Sequence, residues 1–369
     1  MQELDIAQFW RDDEAAHANN CFNQSVQIPL GIRMSDECVF AELGEEGTPW
    51  MPIPQERRIE LNRRYNDKSE RMIGKRLLKE DVLPEDARLP GVKRIGEVFG
   101  GKYIYHNETE WLTQSVHSTQ ELERLLDQVE KMDLRAFMLP ENWEAEKKRV
   151  YERYGVKPAL MRHIRGPVTL ACSIMGTEDF IFLILDEPDL ARRFADVITK
   201  VTLGMARVMD EEYGTTAEET RGFSFADDNC CLLTPDMYEL FGYPVLKKIF
   251  DTYAPDARDS RYQHSDSAMG HLLPILGRLD LTGVNFGPTV LIPEIRKHLP
   301  HARIDGCLSP MSFMRNDVDA ITREVARDCA DALVYNGVNI TTAGSINNGS
   351  SLKSLRLIMQ IIQNKGRRD

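Results

Sequence analysis

Long apolar runs are missing from this chain. In 369 residues the longest uninterrupted apolar stretch is Phe180 to Leu185, far below the roughly 20 residues that cross a bilayer. The opening MQELDIAQFWRDDEAAH also lacks the basic-then-apolar order of a secretory signal. Both absences argue against a membrane protein, and a cytoplasmic one is expected. Paired cysteines are missing too. The seven cysteines, Cys21, Cys38, Cys172, Cys230, Cys231, Cys307 and Cys329, are odd in number, scattered, and never spaced as CxxC, which excludes a disulfide scaffold and leaves reduced thiols as the default. A basic excess is missing: 58 Asp and Glu outnumber 46 Lys and Arg, the net charge is −12, and only the extreme tail Lys365 to Arg368 is a basic cluster, so a nucleic-acid surface is not expected. No GxGxxG or Walker pattern, internal repeat or low-complexity segment occurs.

What is present is an ordinary globular composition, 42% hydrophobic and 28% charged, enough for one large barrel domain or two smaller domains. From about residue 155 onward, short β-branched or apolar runs alternate with longer helical patterns, the signature of repeated βα units. Strands are expected near Ala159 to Ile164, Gly222 to Ala226, Ser260 to Gln263, Thr282 to Phe286, Ala302 to Asp305 and Val338 to Thr342. Helices are expected between them. The clearest follows Thr234-Pro235-Asp236, where Thr caps, Pro fits the first turn and Asp suits the positive helix end. Others span Glu187 to Glu212, Ala268 to Leu279, Val290 to His298, Asp317 to Asn336, with Gly337 as a left-handed cap, and Ser351 to Asn364. Residues 1–150 are less regular, with a strand near Gln27 to Arg33 and helices near Glu56 to Leu78 and Thr119 to Lys131. The expected fold is therefore α/β, a (β/α)8 TIM-type barrel forming a single domain over 1–369, with a divergent N-terminal part to about residue 150.

In such a barrel, catalytic groups project from the C-terminal strand ends. Those ends are polar here: Asp227, Asp228 and Asn229; His264, Ser265, Asp266 and Ser267; Asn285; Asp305 and Cys307; then Thr341, Thr342, Ser345, Asn347 and Asn348. Each alone is explained as a cap or turn former, and Ser267 and Asn316 are read so. Convergence of several on one rim points to a binding or catalytic pocket. His264-x-Asp266 is the most suggestive pair, since an imidazole and a carboxylate two residues apart can share a proton or a divalent metal, and Asp227 or Asp228 completes the set. Strand alternation lets one of the two aspartates enter the pocket while the other caps or pairs. Cys307 is read either as a soft ligand or as a small buried residue, and Cys230 and Cys231 as buried. His271, His298 and His301 receive no role. The loop TTAGSINNGSS, residues 341–351, offers backbone N–H groups before a helix, the kind of place that binds an anion.

These residues carry a resemblance. Arg165-Gly166-Pro167-Val168-Thr169-Leu170-Ala171, Asp227-Asp228 followed by Leu233-Thr234-Pro235-Asp236-Met237-Tyr238, Gln263-His264-Ser265-Asp266, Gly283-Val284-Asn285-Phe286, Gly306-Cys307-Leu308-Ser309-Pro310 and Thr342-Ala343-Gly344-Ser345-Ile346-Asn347 together resemble the uroporphyrinogen decarboxylase superfamily, which holds the decarboxylase and the cobamide-dependent methyltransferases. The similarity covers roughly Tyr151 to Gly366. The Arg-Gln-Ala-Gly-Arg segment with which the decarboxylases hold their acidic tetrapyrrole is absent from the first 100 residues. The methyltransferases bind zinc through His-x-Cys and a distant Cys; His264 matches the first ligand, but Asp266 and Gly344 stand where the cysteines would be. No corrinoid-binding Asp-x-His-x-x-Gly motif occurs.

The resemblance thus implies a methyltransferase moving a methyl group from a small methylated substrate to a corrinoid on a separate partner protein. In that scheme Asp227 or Asp228, His264 and Asp266 are catalytic, and Asn285, Asn347 and Asn348 bind substrate. Zinc is the candidate metal, with His264, Asp266 and Cys307 as ligands, and a homodimer is compatible with the chain. A tetrapyrrole decarboxylase and a non-catalytic small-molecule-binding barrel are the alternatives.

Overall fold

The computed structural model describes residues 2–47, 49, 53–106 and 109–368. The chain folds into two compact units, each assembled from separate stretches of sequence: Met1–Leu83 with Ser265–Gly270 and Gly283–Asp369, and Pro84–His264 with His271–Thr282. Strands are numbered in chain order: β1 Tyr103–His106, β2 Thr109–Leu112, β3 His163–Arg165, β4 Phe223–Ala226, β5 Arg261–Ser265, β6 Gly283–Phe286, β7 Arg303–Asp305 and β8 Val338–Asn339.

The second unit opens with the antiparallel hairpin β1–β2, in which Ile104 pairs with Trp111. Its centre is the parallel ladder β3-β4-β5, with His163 opposite Ser224 and Ala226 opposite His264. Alternation divides this ladder into two faces. Ile164, Phe223, Phe225 and Gln263 are buried, whereas His163 is exposed and Arg165, Ser224, Ala226, Tyr262 and His264 are half-buried. The buried face packs on the helix Pro235–Tyr253, where Phe225 meets Phe250 edge-on with centroids 5.4 Å apart. That helix begins as its sequence dictates, the Thr234 side chain accepting from Met237 N. A 26-residue helix, Pro188–Tyr213, adds Phe194 to an edge-to-face row with Phe99, Phe241 and Phe180. The expected helix over residues 268–279 is instead three short turns, Gly270–Leu272, Leu273–Leu276 and Gly277–Leu279; Gly270 and Gly277 lower helix propensity and Pro274 removes a donor.

In the first unit the ladder is β6-β7-β8, with Val284 opposite Ile304 and Ile304 opposite Val338. The stretch expected as a strand near Gln27 to Arg33 forms only bridges: Leu30 lies parallel to Ile340 and Gln27 antiparallel to Arg367. It is fixed instead by side chains. Leu30 N donates to Asp13 Oδ1 at 2.7 Å, and His17 sits 3.5 Å from the other Asp13 oxygen and 3.2 Å from the Leu30 carbonyl. The Asp13 carboxylate, with Cys21 adding to it, raises the His17 pKa to about 10. Gly337 does not cap the preceding helix, which ends at Val334; its φ of 75° belongs to the turn into β8, where a Cβ would press into the Phe22 ring. Among the described residues no single helix is long and apolar enough to cross a membrane.

Candidate functional site

The polar groups of the second unit follow from strand alternation and one helix start. After β3 the chain passes Gly166 and enters the helix Pro167–Met175. Asp227, just past β4, is fully buried, and its Oδ1 accepts from Thr169 N at 2.8 Å. Burial pushes this carboxyl up to about 7, against the opposing pull of the Thr169 and Val168 N–H groups. Gly166 is needed for this packing rather than for its φ of −64°, because a Cβ there would sit 2.2 Å from Asp227 Cβ. Thr169 also receives Asn229 N on its hydroxyl at 3.0 Å. Asp227 thus ties the helix start to the β4 end. Behind it, Tyr238 and Gln263 are enclosed with their polar atoms outside normal hydrogen-bond geometry, as is Asp227 Oδ2.

The next residue takes the other face. Asp228 Oδ1 stands 3.8 Å from His264 Nε2, both half-buried on the open side of the ladder. The two adjacent aspartates therefore do different things, as alternation implied.

His163 and Arg165 share this face and received no role in the sequence reading; the motif His-x-Arg at a strand end was the available signal. The Ser224 hydroxyl donates to the Arg162 carbonyl at 3.0 Å, so its oxygen accepts from His163 Nδ1 at 2.8 Å. That fixes the tautomer and leaves Nε2 as an acceptor. Although part of the side chain reaches solvent, desolvation of the ring, and to a lesser degree His264, lowers the His163 pKa and favours the neutral form.

In the first unit Ser265 is buried and its hydroxyl meets Ser267 Oγ at 2.7 Å, while Asp266 is exposed. Asn285 is turned to the backbone. Its Nδ2 donates to the carbonyls of Asp305 and Thr342, and its Oδ1 accepts from Gly344 N at 3.0 Å. Asn348 Oδ1 accepts from Ala41 N at 3.3 Å, and the Asn347 carbonyl accepts from the Cys38 thiol at 3.5 Å. These asparagines hold the 341–351 loop to its own unit and to the helix Cys38–Leu43. Asp305 is bound by both ends of Arg303, each at 2.8 Å.

Cys307 is fully buried, with its N–H on Asp328 Oδ2 at 2.9 Å and its thiol pKa pushed well up by burial. A thiol held protonated and closed off has the character of the small core residue, not of a ligand.

A model of the family described as uroporphyrinogen decarboxylase (URO-D) matches residues 94–349. No curated protein matches the chain. Among solved structures, a methyltransferase from Methanosarcina mazei is similar with a TM-score of 0.55 and 15% identity, over 92% of this chain and 94% of that one. At that identity the likeness is one of fold, the (β/α)8 type.

Proposed function

The chain belongs to the uroporphyrinogen decarboxylase family, and from that premise we propose that it is a methyltransferase taking a methyl group from a small methylated substrate and delivering it to a corrinoid on a separate protein. The observation that carries this reading is the Asp228–His264 pair on the open face at the strand ends. It supplies what demethylation of an ether or amine needs: an imidazole to meet the leaving heteroatom and a carboxylate that orients the ring. His264 protonates the leaving group as the methyl departs, and Asp228 holds the ring. Asp227 stabilises the scaffold from behind. The sequence supports ranking this above decarboxylation, because the arginine segment of the decarboxylases is absent; the lack of a cysteine two residues after His264 argues against the methyltransferases' usual zinc-thiolate site.

A divalent ion suits the same residues. Asp228 and His264 each offer one ligand atom. An imidazole nitrogen and a carboxylate oxygen are ligands that zinc accepts and that are harder than thiolates. Such an ion supplies Lewis-acid polarisation of the leaving group. Anaerobic mixing of the protein with reduced corrinoid and candidate ethers, amines and thiols, followed for the methylcobalamin spectrum, tests the proposal. Methylation from none of them refutes it, and appreciable coproporphyrinogen formation from uroporphyrinogen puts the decarboxylase first. Metal analysis of wild type and His264→Ala tests the ion: stoichiometric zinc lost on substitution supports it.

A further inference from the structure

Arg165 has no part in the chemistry above, yet it stands in its row. Register sets Arg165 opposite Ala226, and Ala226 opposite His264. The three share one face of three adjacent strands. Neighbouring strands lie about 4.8 Å apart, so the Arg165 and His264 backbones are roughly 10 Å apart. Only the Ala226 methyl lies between them in the row. The two long polar side chains thus flank a methyl floor on the open face.

The guanidinium is also under-committed. Arg165 Nη1 donates to the Ser173 hydroxyl at 3.3 Å, and Ser173 passes its own proton to the Thr169 carbonyl. Among the described residues no carboxylate forms an ion pair with Arg165. An acid within its electrostatic reach, Glu110 on β2, is already gripped by both Arg94 nitrogens at 2.6 and 2.9 Å. A half-buried guanidinium carries five donors in a planar fork, and leaving most of them without an acceptor costs stability that a bidentate carboxylate restores.

We infer that Arg165 is the anion-recognition residue of this face: it clamps the carboxylate of a small methylated acid whose methyl-bearing end lies across Ala226, at His264 and Asp228. The identity of the reacting end rests on the proposed methyl transfer; recognition of the anion rests on the row itself. Glu110 keeps its own arginine, so the incoming carboxylate displaces no existing pair.

The test is calorimetric titration of the full chain with matched probes, 3-methoxypropanoate and 4-methoxybenzoate, each against its primary amide. At least one acid is expected to bind about tenfold or more tightly than its amide. Arg165→Met removes that preference, Arg165→Lys keeps a weakened form of it, and Ala226→Leu, which puts a larger side chain on the floor, weakens acid and amide alike. Equal binding of acid and amide, an acid preference that survives in Arg165→Met, or no binding of either acid at millimolar concentration overturns the inference. The titrations need neither corrinoid nor turnover, so the two readings fail separately. Methyl transfer from the methylated acids at full rate in Arg165→Met removes the role of Arg165 alone. Acid-selective binding without any transfer to corrinoid removes the methyltransferase reading alone.

Discussion

Gly166→Ala tests how tightly the helix start is locked to the end of β4. The new Cβ would fall 2.2 Å from Asp227 Cβ, 2.3 Å from its Cγ and 2.7 Å from its Oδ1, all closer than atoms can approach. Asp227 is fully buried and holds Thr169 N, so it cannot swing into solvent. Either the carboxylate moves and Thr169 N loses its acceptor, or the helix start retreats. Overpacking of this kind costs about 1–3 kcal/mol, and loss of a helix-start acceptor adds about 1 kcal/mol. With an unfolding entropy of roughly 2 cal/mol/K per residue over a unit of about 190 residues, the sum lowers Tm by roughly 5–10 °C. Differential scanning calorimetry reads the shift directly. A double-mutant cycle identifies its cause: in an Asp227→Gly background, which removes all three clashing atoms, Gly166→Ala should cost much less. A Tm within about 1 °C of wild type, or an equal cost in both backgrounds, refutes the packing argument.

Arg296 donates to the carbonyls of Leu299, Pro300, Ala302, Asn336 and Gly337, and burial alone lowers its pKa to about 10. Arg296→Met should cost roughly 3 kcal/mol or more in urea unfolding, with Arg296→Lys recovering only part, because one ammonium cannot span the set. His17, raised to about 10 in the folded state from an ordinary 6.5, stabilises when protonated. Its contribution is complete below about pH 6.5 and fades as pH rises toward 10, so the stability gap between wild type and His17→Gln should shrink over that interval; a gap that widens there contradicts the sign. Tyr238→Phe removes an enclosed hydroxyl outside hydrogen-bond geometry and should leave Tm unchanged or raised, whereas a loss above about 1 kcal/mol would reveal a partner for it.

The barrel strands were legible because each β-branched run sits between clear helix signals, and β4 to β8 fall within two residues of expectation at their centres, β3 within three. Thr234 caps the helix it was expected to cap, and the helices expected from Asp317 and Ser351 start there, with those two side chains as their caps. What escaped is what depends on partners distant in sequence. Residues 27–33 have a strand's composition but are fixed by Asp13 and single bridges. At the candidate site, alternation gave that one of Asp227 and Asp228 would turn inward and the other outward, but not that Asp228 is the one beside His264. The tasks of Asn285 and Asn348 did not follow either, because a side chain that binds backbone reads the same in sequence as one that binds substrate. Arg165 is not legible as a binding residue because the glycine and proline that follow it read as a helix start, which explains the segment without the arginine.

The sorting of β3, β4 and β5 into an enclosed face and an open one bears on how this protein can be altered. Asp227, Gln263, Phe223 and Phe225 answer to the core, so changes there are judged by whether the chain still folds. Arg165, Ala226, Asp228 and His264 border open space, so exchanging them leaves the packing almost untouched. Neighbours one residue apart thus fall under separate selection, and a library confined to the open row can search for new substrates without first searching for stability.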